Sequence, residues 1–387
     1  MNINTKIGCI DEVTIREIEA KSILRKHKKI DSWFISRYGM NLYRGCSHNC
    51  VYCDGRAEGY YVDGEFGEDV TVKVNAVDIL QRELDPQRKR VPLKPGFVMV
   101  GGGVGDSYQP IEGKYRLTER ALQLVHEYGY PVHMLTKSVL IKRDIDILKK
   151  ISERNRAIVS FSFSSTDDKL SAIFEPGVPS PSERLKALTF FKSEGIACGM
   201  FLLPVIPFIT DTPELMEDAI RRAGEVGVDF IVFGGMTLKE RKQKAYFLDV
   251  VKQHYPGLMA KYQNLYQGNR WGMAAGGYYN SLNMEFGRIA KKYRIPSRIP
   301  PALFRDILNE NDFVVVILEH IDYLLKMEGQ KSPFGYAAYS ISQLSEPLSG
   351  MKGELYRIKG VGKTVEGIIL EILSTGDSSY YEHLLTG

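Results

Sequence analysis

Long hydrophobic runs are missing from this 387-residue chain. The apolar stretch from Cys198 to Ile209 falls far short of the ~20 residues that cross a bilayer, and Pro204 and Pro207 interrupt it. The opening Met1-Asn-Ile-Asn-Thr-Lys6 is polar, without the basic and apolar regions of a secretory leader. No membrane partner is expected, and the cytoplasm is the expected location. Repeats at a solenoid period and low-complexity segments are absent, which excludes stacked arrays. Charge of one sign is scarcely in excess: a formal net charge of +4 cannot by itself imply an acidic partner. Nucleotide-binding glycine patterns are incomplete as well. Asp106 stands where a GxGxxG run from Gly101 needs its last glycine. Arg357 stands where a phosphate loop ending in Gly362-Lys363-Thr364 needs its first, and no strand pattern precedes it. Neither a dinucleotide fold nor a nucleotide triphosphatase is expected.

Cysteine is scarce too, five residues in all, yet three fall in one run, Asn41-Leu-Tyr-Arg-Gly-Cys46-Ser-His-Asn-Cys50-Val-Tyr-Cys53. Three thiolates on one short loop can hold three irons of a cubane iron–sulfur cluster. With no fourth cysteine nearby, the fourth iron is left for a ligand such as the amino and carboxylate groups of S-adenosylmethionine. Zinc, with His48 as fourth ligand, is an alternative. Against it, His48 sits inside the triplet and no second CxxC pair occurs. A disulfide or plain buried thiols would suit a composition that reads as intracellular less well. Cys9 is a terminal bystander and Cys198 lies in an apolar segment suited to a core.

With 44 % hydrophobic and 25 % charged residues, the chain has the composition of a globular protein and the length for one large domain plus a smaller one. From residue 38 to 255 short apolar runs alternate with amphipathic segments. Strands are expected at Phe97-Val-Met-Val-Gly101, Pro131–Leu135, Ala157–Phe163, Ile196–Leu203 and Asp229–Gly235. Between and after them, helices are expected at Lys114–Tyr128, Arg143–Ile151, Pro181–Ser193, Pro213–Val226 and Leu238–Gln253. Such alternation implies a parallel sheet with helical crossovers. The expected class is α/β: a partial (β/α)6 TIM-type barrel with active residues at the C-terminal strand ends, followed by a C-terminal all-α helix-hairpin-helix domain. An open doubly wound sheet is the competing architecture, which periodicity alone does not separate. Residues 1–37 read as an N-terminal extension, 256–303 as an irregular connector or lid containing Trp271, and 304–387 as the helical domain.

The CxxxCxxC spacing, with Tyr52 just before the last cysteine, resembles the radical S-adenosylmethionine (SAM) superfamily. Further runs resemble its spore photoproduct lyase-like branch, the radical DNA repair photolyases. They are Asn41–Cys46, Val72-Lys-Val-Asn75, Asp106-Ser-Tyr-Gln-Pro-Ile-Glu112, Thr136-Lys-Ser138, Arg143-Asp144, Glu175-Pro176, Pro179-Ser-Pro181, Arg184-Leu185 and Pro204-Val-Ile-Pro207. The resemblance covers about residues 40 to 255, in the family's order. It implies a [4Fe-4S] cluster on Cys46, Cys50 and Cys53, reductive cleavage of SAM to a 5′-deoxyadenosyl radical, and abstraction of a substrate hydrogen atom. An external one-electron reductant such as flavodoxin or ferredoxin is implied as well. Position by position, Tyr52 would lie against the adenine, and the main chain of Gly103, Gly105, Asp106 and Ser107 would meet the amino group. Lys137 would pair with the methionyl carboxylate, and Ser162 and Ser164 would bind the ribose. One departure matters. Spore photoproduct lyase has a hydrogen-donating cysteine near the end of the second strand, where this chain has Gly103-Val104-Gly105. A tyrosine such as Tyr108 could donate in its place, as could the substrate or nothing at all, so the catalytic donor is left unassigned.

A second motif, Tyr356-Arg-Ile-Lys-Gly360-Val-Gly362-Lys363-Thr364, precedes a helix with apolar spacing and resembles a helix-hairpin-helix. Glycines permit the tight turn, and the unpaired N–H groups that open the second helix suit a phosphate oxygen. Lys359, Gly360, Gly362, Lys363 and Thr364 are the expected DNA contacts, reading backbone and not bases. The stretch from Asp312 to Leu385 resembles the small N-terminal domain of X-family DNA polymerases, with Ala337-Ala338-Tyr339 upstream and Glu371–Gly376 downstream. Where some of those polymerases carry a Schiff-base lysine this chain has Ile368, so lyase chemistry of that kind is not expected. Together the two modules imply a radical SAM enzyme acting on DNA. The alternatives are RNA or a small metabolite as substrate, or a non-enzymatic metal-containing DNA-binding protein.

Overall fold

The computed structural model describes residues 7–10, 13–60, 62, 64–87, 93–268 and 270–386. Eleven strands are found: β1 Ile7–Ile10, β2 Val13–Ile18, β3 Leu24–Asp31, β4 Ser36–Met40, β5 Tyr43–Arg44, β6 Asp69–Lys73, β7 Phe97–Val100, β8 Val132–Thr136, β9 Ala157–Phe163, β10 Ala197–Val205 and β11 Phe230–Gly235. Seven form one sheet in the order β11-β10-β9-β8-β7-β4-β3. Every neighbouring pair is parallel except β3 with β4. The six parallel strands therefore lie in chain order. A doubly wound sheet would reverse its order at a switch point, and none occurs here. The sheet curls into a half-barrel, with β3 and β11 as its edges.

Side chains alternate between the two faces of the sheet. Phe97, Ile158, Phe201, Phe230 and Val232 point into the half-barrel, whereas Val98, Val132, Val159, Met200 and Ile231 face the outer helices. Inside, Phe34 stacks on Phe201 with centroids 5.4 Å apart, and His133 meets Phe201 and Phe230.

Strong local signals explain why several helices were legible. Pro181–Ser193 opens with a capping box between Ser180 and Glu183, and Pro213–Val226 is capped by Thr212 and ends at Gly227 in the left-handed region. Other helices differ from expectation. The one expected from Lys114 is broken at Arg116 (φ 49°) into Glu112–Tyr115 and Leu117–Glu127, because the Glu112 carboxylate accepts the N–H of Thr118 and caps the second piece. The segment expected as an irregular connector contains the helix Tyr278–Tyr293, which covers β11 by stacking Phe286 on Phe233 at 4.2 Å. Residues expected as an extension supply β3, the edge of the half-barrel sheet. With β1, β2, β5 and β6 they also help build a separate four-stranded sheet, β1-β2-β6-β5.

Beyond residue 303 the described residues contain helices and no strand: Glu310–Met327, Phe334–Ser342, Lys363–Thr375 and Ser379–Thr386, with short 3-10 turns at Leu348–Met351 and Leu355–Arg357. They close the N-terminal end of the half-barrel. Phe304, Val314, Ile317, Leu318 and Ile321 share one buried cluster with Ile35, Phe97, Ile158, Phe201 and Phe230. Buried Arg37 pairs with Asp312, and His320 bridges the carbonyl of Ser32 (2.8 Å) and the hydroxyl of Tyr381 (2.7 Å).

Candidate functional site

The cysteine run leaves the C-terminal end of the first parallel strand and is pinned from several sides. Gly45 (φ 74°) must be glycine, since a Cβ there would meet the carbonyl oxygen of Asp69 at 2.3 Å. Gln109 accepts the N–H of Ser47 at 3.0 Å and donates to the carbonyl of Gly45 at 3.2 Å. Val51 N–H donates to the carbonyl of Phe174, and Gly177 N–H to that of His48. Arg56 donates to the carbonyls of Cys50, Phe66 and Asn49 and lies 3.6 Å from the ring centroid of Tyr246.

Cys46 and Cys50 are buried and Cys53 is partly so; no disulfide joins them. Burial raises all three thiol pKa values, with Asp106 adding to the rise at Cys46 and Glu175 at Cys50. Thiols in such a setting ionise only beside a compensating cation, which is the chemistry of a metal-bound donor set. Among the described residues no three His, Cys, Asp or Glu side chains converge on a single metal-ion position. A zinc ion needs four ligands within ~2.3 Å of one point, whereas a cubane spreads its cysteines over separate irons. Three cysteines on one loop match the three-thiolate ligand set of such a cluster. His48, which lines the same cavity, has Nδ1 3.4 Å from Asp106 Oδ2.

The three cysteines open onto a cavity of about 300 Å³ that is also lined by Tyr52, the run Gly101–Asp106, Thr136, Lys137, Ser162, Met236 and Thr237. Asp106 organises one wall. Its Oδ1 accepts from Tyr108 N–H (2.8 Å) and Thr136 Oγ1 (2.7 Å), and its Oδ2 accepts from Lys137 N–H (2.7 Å). Lys137 Nζ donates to Ser162 Oγ at 2.7 Å and lies 3.3 Å from Glu175 Oε1. Glu175 is buried; it accepts from the Tyr52 hydroxyl and Ser171, and pairs with the buried Arg184. Burial alone would raise the Glu175 pKa, but Arg184, Lys137 and the two hydroxyls outweigh it and hold the carboxyl well below its ordinary range. A second cavity, of about 550 Å³, shares the wall Gly101–Asp106 and extends to Arg25, His27 and Tyr60.

Of the residues singled out from the sequence, Cys46, Cys50, Cys53, Tyr52, Gly103, Gly105, Asp106, Lys137 and Ser162 come together here. Three do not. Ser107 faces the second cavity, Ser164 is buried away from both, and Tyr108 lies in the core with its hydroxyl donating to Asp144 at 2.9 Å. Sequence reasoning passed over Glu175 and Arg184 as working residues, although both fall in quoted runs; a buried ion pair leaves no periodic trace. Gly101 fixes the glycine run. Its φ is 91°, and a Cβ would stand 2.0 Å from the carbonyl oxygen of Leu135, whereas one on Gly103 would meet nothing. Gly101→Ala should therefore cost ~1–3 kcal/mol in backbone strain beyond the clash, and Gly103→Ala close to nothing. Thermal melts of the two metal-free variants check this; equal midpoints would refute it.

Residues 40–219, which span the cysteine run and most of the cavity wall, match the sequence model of the radical SAM superfamily. Over this segment the chain is similar to radical SAM proteins. Its cofactors are a [4Fe-4S] cluster and SAM, and the enzyme needs an external electron donor. Relatives of this chain include an uncharacterized protein of Mycobacterium bovis, 29 % identical over 296 residues, which are 76 % of this chain and 84 % of the relative. Another, of Methanocaldococcus jannaschii, is 29 % identical over 222 residues, 57 % of this chain and 77 % of the relative. A third is from Acidianus two-tailed virus, 26 % identical over 227 residues, 55 % of this chain and 70 % of the relative. Among solved structures, a spore photoproduct lyase mutant superposes with a TM-score of 0.53 at 18 % identity, covering 72 % of this chain and 79 % of its own. That likeness is one of fold. No helix among the described residues is long and apolar enough to cross a membrane.

Proposed function

We propose that this radical SAM enzyme acts on DNA, repairing or modifying a nucleobase in a lyase-like reaction. The observation that carries the radical half is the convergence of Cys46, Cys50 and Cys53 with the glycine run, Lys137 and Ser162 on one cavity at the C-terminal strand ends. The cysteines would hold three irons of the cluster. When bound, cluster and SAM together supply a 5′-deoxyadenosyl radical that takes a hydrogen atom from substrate. Lys137 positions the cosubstrate: an ammonium has three N–H donors, Ser162 and Glu175 face it, and the remaining donor is free for a carboxylate. The main chain of Gly103 and Gly105 gives close approach without side chains, and Tyr52 offers a ring face whose hydroxyl is anchored on Glu175. Asp106 has its oxygens engaged by Thr136, Lys137 and Tyr108, so it acts as a positioning residue for that wall.

Support for DNA as substrate comes from the C-terminal helices. Lys359, Gly360, Gly362, Lys363 and Thr364 are all exposed, and Gly362 caps the helix Lys363–Thr375. Gly360 (φ 85°) is confined to glycine, because a Cβ would lie 2.6 Å from the Tyr336 ring. A 3-10 turn, Leu355–Arg357, stands where the first helix of the hairpin is expected. The exposed amides, the helix dipole and Lys363 suit one phosphate.

The test is anaerobic reconstitution followed by dithionite and SAM. About four irons per chain and 5′-deoxyadenosine detected by mass spectrometry are expected, with Cys46→Ala losing at least ~100-fold of that product because one iron ligand is gone. Equal product from both chains would overturn the assignment of the cluster.

A further inference from the structure

Strand β3 carries Arg25-Lys-His-Lys-Lys29 on the edge of the half-barrel sheet. Arg25, Lys26 and Lys28 are exposed, and none has a carboxylate partner among the described residues; Lys29 is paired with Glu319. Lysines on a sheet edge also block edge-to-edge pairing, so the charge run alone would mean little. Its placement says more. Arg25 and His27 line the cavity of about 550 Å³ whose opposite wall is the glycine run shared with the SAM cavity. Arg25 lies in register with Gly39, which adds no side chain of its own, and the His27 ring is the nearest group to that glycine.

The carboxylates on the cavity wall are already engaged. Asp31 accepts the N–H groups of Trp33 and Phe34, Asp54 pairs with Lys239, and Asp106 holds Thr136 and Lys137. Arg25 is left as a cation facing a space of small-molecule size, with the rings of Phe34, Tyr43 and Tyr60 around it. An anionic ligand with a flat apolar part fits that wall. The hairpin of the C-terminal helices cannot supply this contact, because no residue beyond 237 lines either cavity. Strand β3, by contrast, runs from the helix Glu310–Met327, where Lys29 meets Glu319, up to the mouth, where Leu24 pairs with Met40. Its eight residues span roughly 25 Å.

We propose that β3 is a phosphate rail: Lys26 and Lys28 hold the backbone of one DNA strand along the sheet edge, and Arg25 holds the phosphate of a single unpaired or extruded nucleotide whose base enters the cavity beside Gly101–Gly105. The inference rests on the DNA reading above and adds where the strand lies. Backbone contacts of this kind position without reading sequence, and the rings supply a stacking surface that tolerates any base. Reaching the cavity requires the nucleotide to leave a duplex stack.

The experiment is fluorescence anisotropy of the full-length chain with a labelled 20-nucleotide single strand and its duplex across a salt series. Arg25→Gln/Lys26→Gln/Lys28→Gln is compared with Lys150→Gln/Lys186→Gln/Lys252→Gln, which changes net charge equally on exposed residues of the outer helices. Sedimentation and thermal melts first establish that both are monodisperse and folded. The rail variant should bind the single strand more than ~10-fold less tightly, and its log K against log salt slope should be shallower by about 2. The control should keep both values. A rail variant that matches the unsubstituted chain, or a control that loses as much, overturns the proposal while DNA binding itself stands. An unsubstituted chain that binds neither oligonucleotide overturns the rail and the DNA reading together, with 5′-deoxyadenosine formation as the separate measure of the radical half.

Discussion

A chain ending at residue 303 should not fold into a stable half-barrel. Phe97, Ile158, Phe201, Phe230 and Val232 are fully buried in the cluster completed by Phe304, Val314, Ile317, Leu318 and Ile321, so removing those helices opens the N-terminal end of the half-barrel to water. Each large apolar side chain left uncovered costs ~1.5–3 kcal/mol, and a few of them consume the ~5–15 kcal/mol that separates a folded domain from its unfolded chain. Arg37 would also lose Asp312 in a buried setting, where an unmatched charge costs ~3–5 kcal/mol. The expected outcome is insoluble or molten material, with lost near-ultraviolet circular dichroism and bound hydrophobic dye. A monomeric truncated chain that melts cooperatively within a few degrees of the full chain would refute this. The practical consequence is that truncation cannot test the proposed DNA contacts of the C-terminal helices. Lys359→Gln/Lys363→Gln, on exposed residues, can.

This dependence could not be read from the sequence. Apolar periodicity in 310–327 announces a helix with a buried face but not what that face covers, and both a separate domain and a plug satisfy it. What was legible was local. The cysteine run is contiguous, so its ligand spacing is visible without a fold. The helices Pro181–Ser193 and Pro213–Val226 carry caps and proline starts in the sequence itself. The parallel strands are apolar on both faces, which marks burial between helices and interior. Strand β3 was missed because five consecutive basic positions hide an edge strand whose only apolar contacts are near its ends, at Leu24 and Ile30.

The site divides along the same line. Gly103, Gly105, Lys137 and Ser162 follow strands whose ends could be placed, so they could be assigned to one mouth. Tyr108 was misplaced because it follows the glycine run by only three residues, yet Asp106 turns the chain there and sends the ring into the core against Asp144. Zinc is disfavoured already by the spacing, since His48 sits inside the triplet and no second CxxC pair occurs.

The buried pair of Arg184 with Glu175 carries the largest expected single-residue effect. Arg184 donates to the carbonyl of Ser162 at 2.6 Å and to Ser171 Oγ at 3.0 Å, besides Glu175, and none of its surface meets solvent. Arg184→Met would leave the Glu175 carboxylate buried with only Lys137 as a cation, a loss of ~3–5 kcal/mol. For a chain of this size the melting midpoint should fall by at least ~5 °C. Arg184→Lys, which keeps the charge but not the planar fork, should fall in between. The same network aims Lys137 and anchors Tyr52, so binding of SAM to the reconstituted variant should weaken as well. The pH dependence has a fixed sign. Glu175 is held below its unfolded pKa by Arg184 and Lys137 against the pull of burial, so its contribution is complete above about pH 5 and is lost as the pH falls through the lowered folded value. The difference in midpoint between the unsubstituted chain and Arg184→Met should thus be largest at neutral pH and shrink on acidification, beginning where the buried Glu175 of the variant takes up its proton. A difference that grows on acidification, or no difference at neutral pH, would show that the ion pair does not hold this wall of the site.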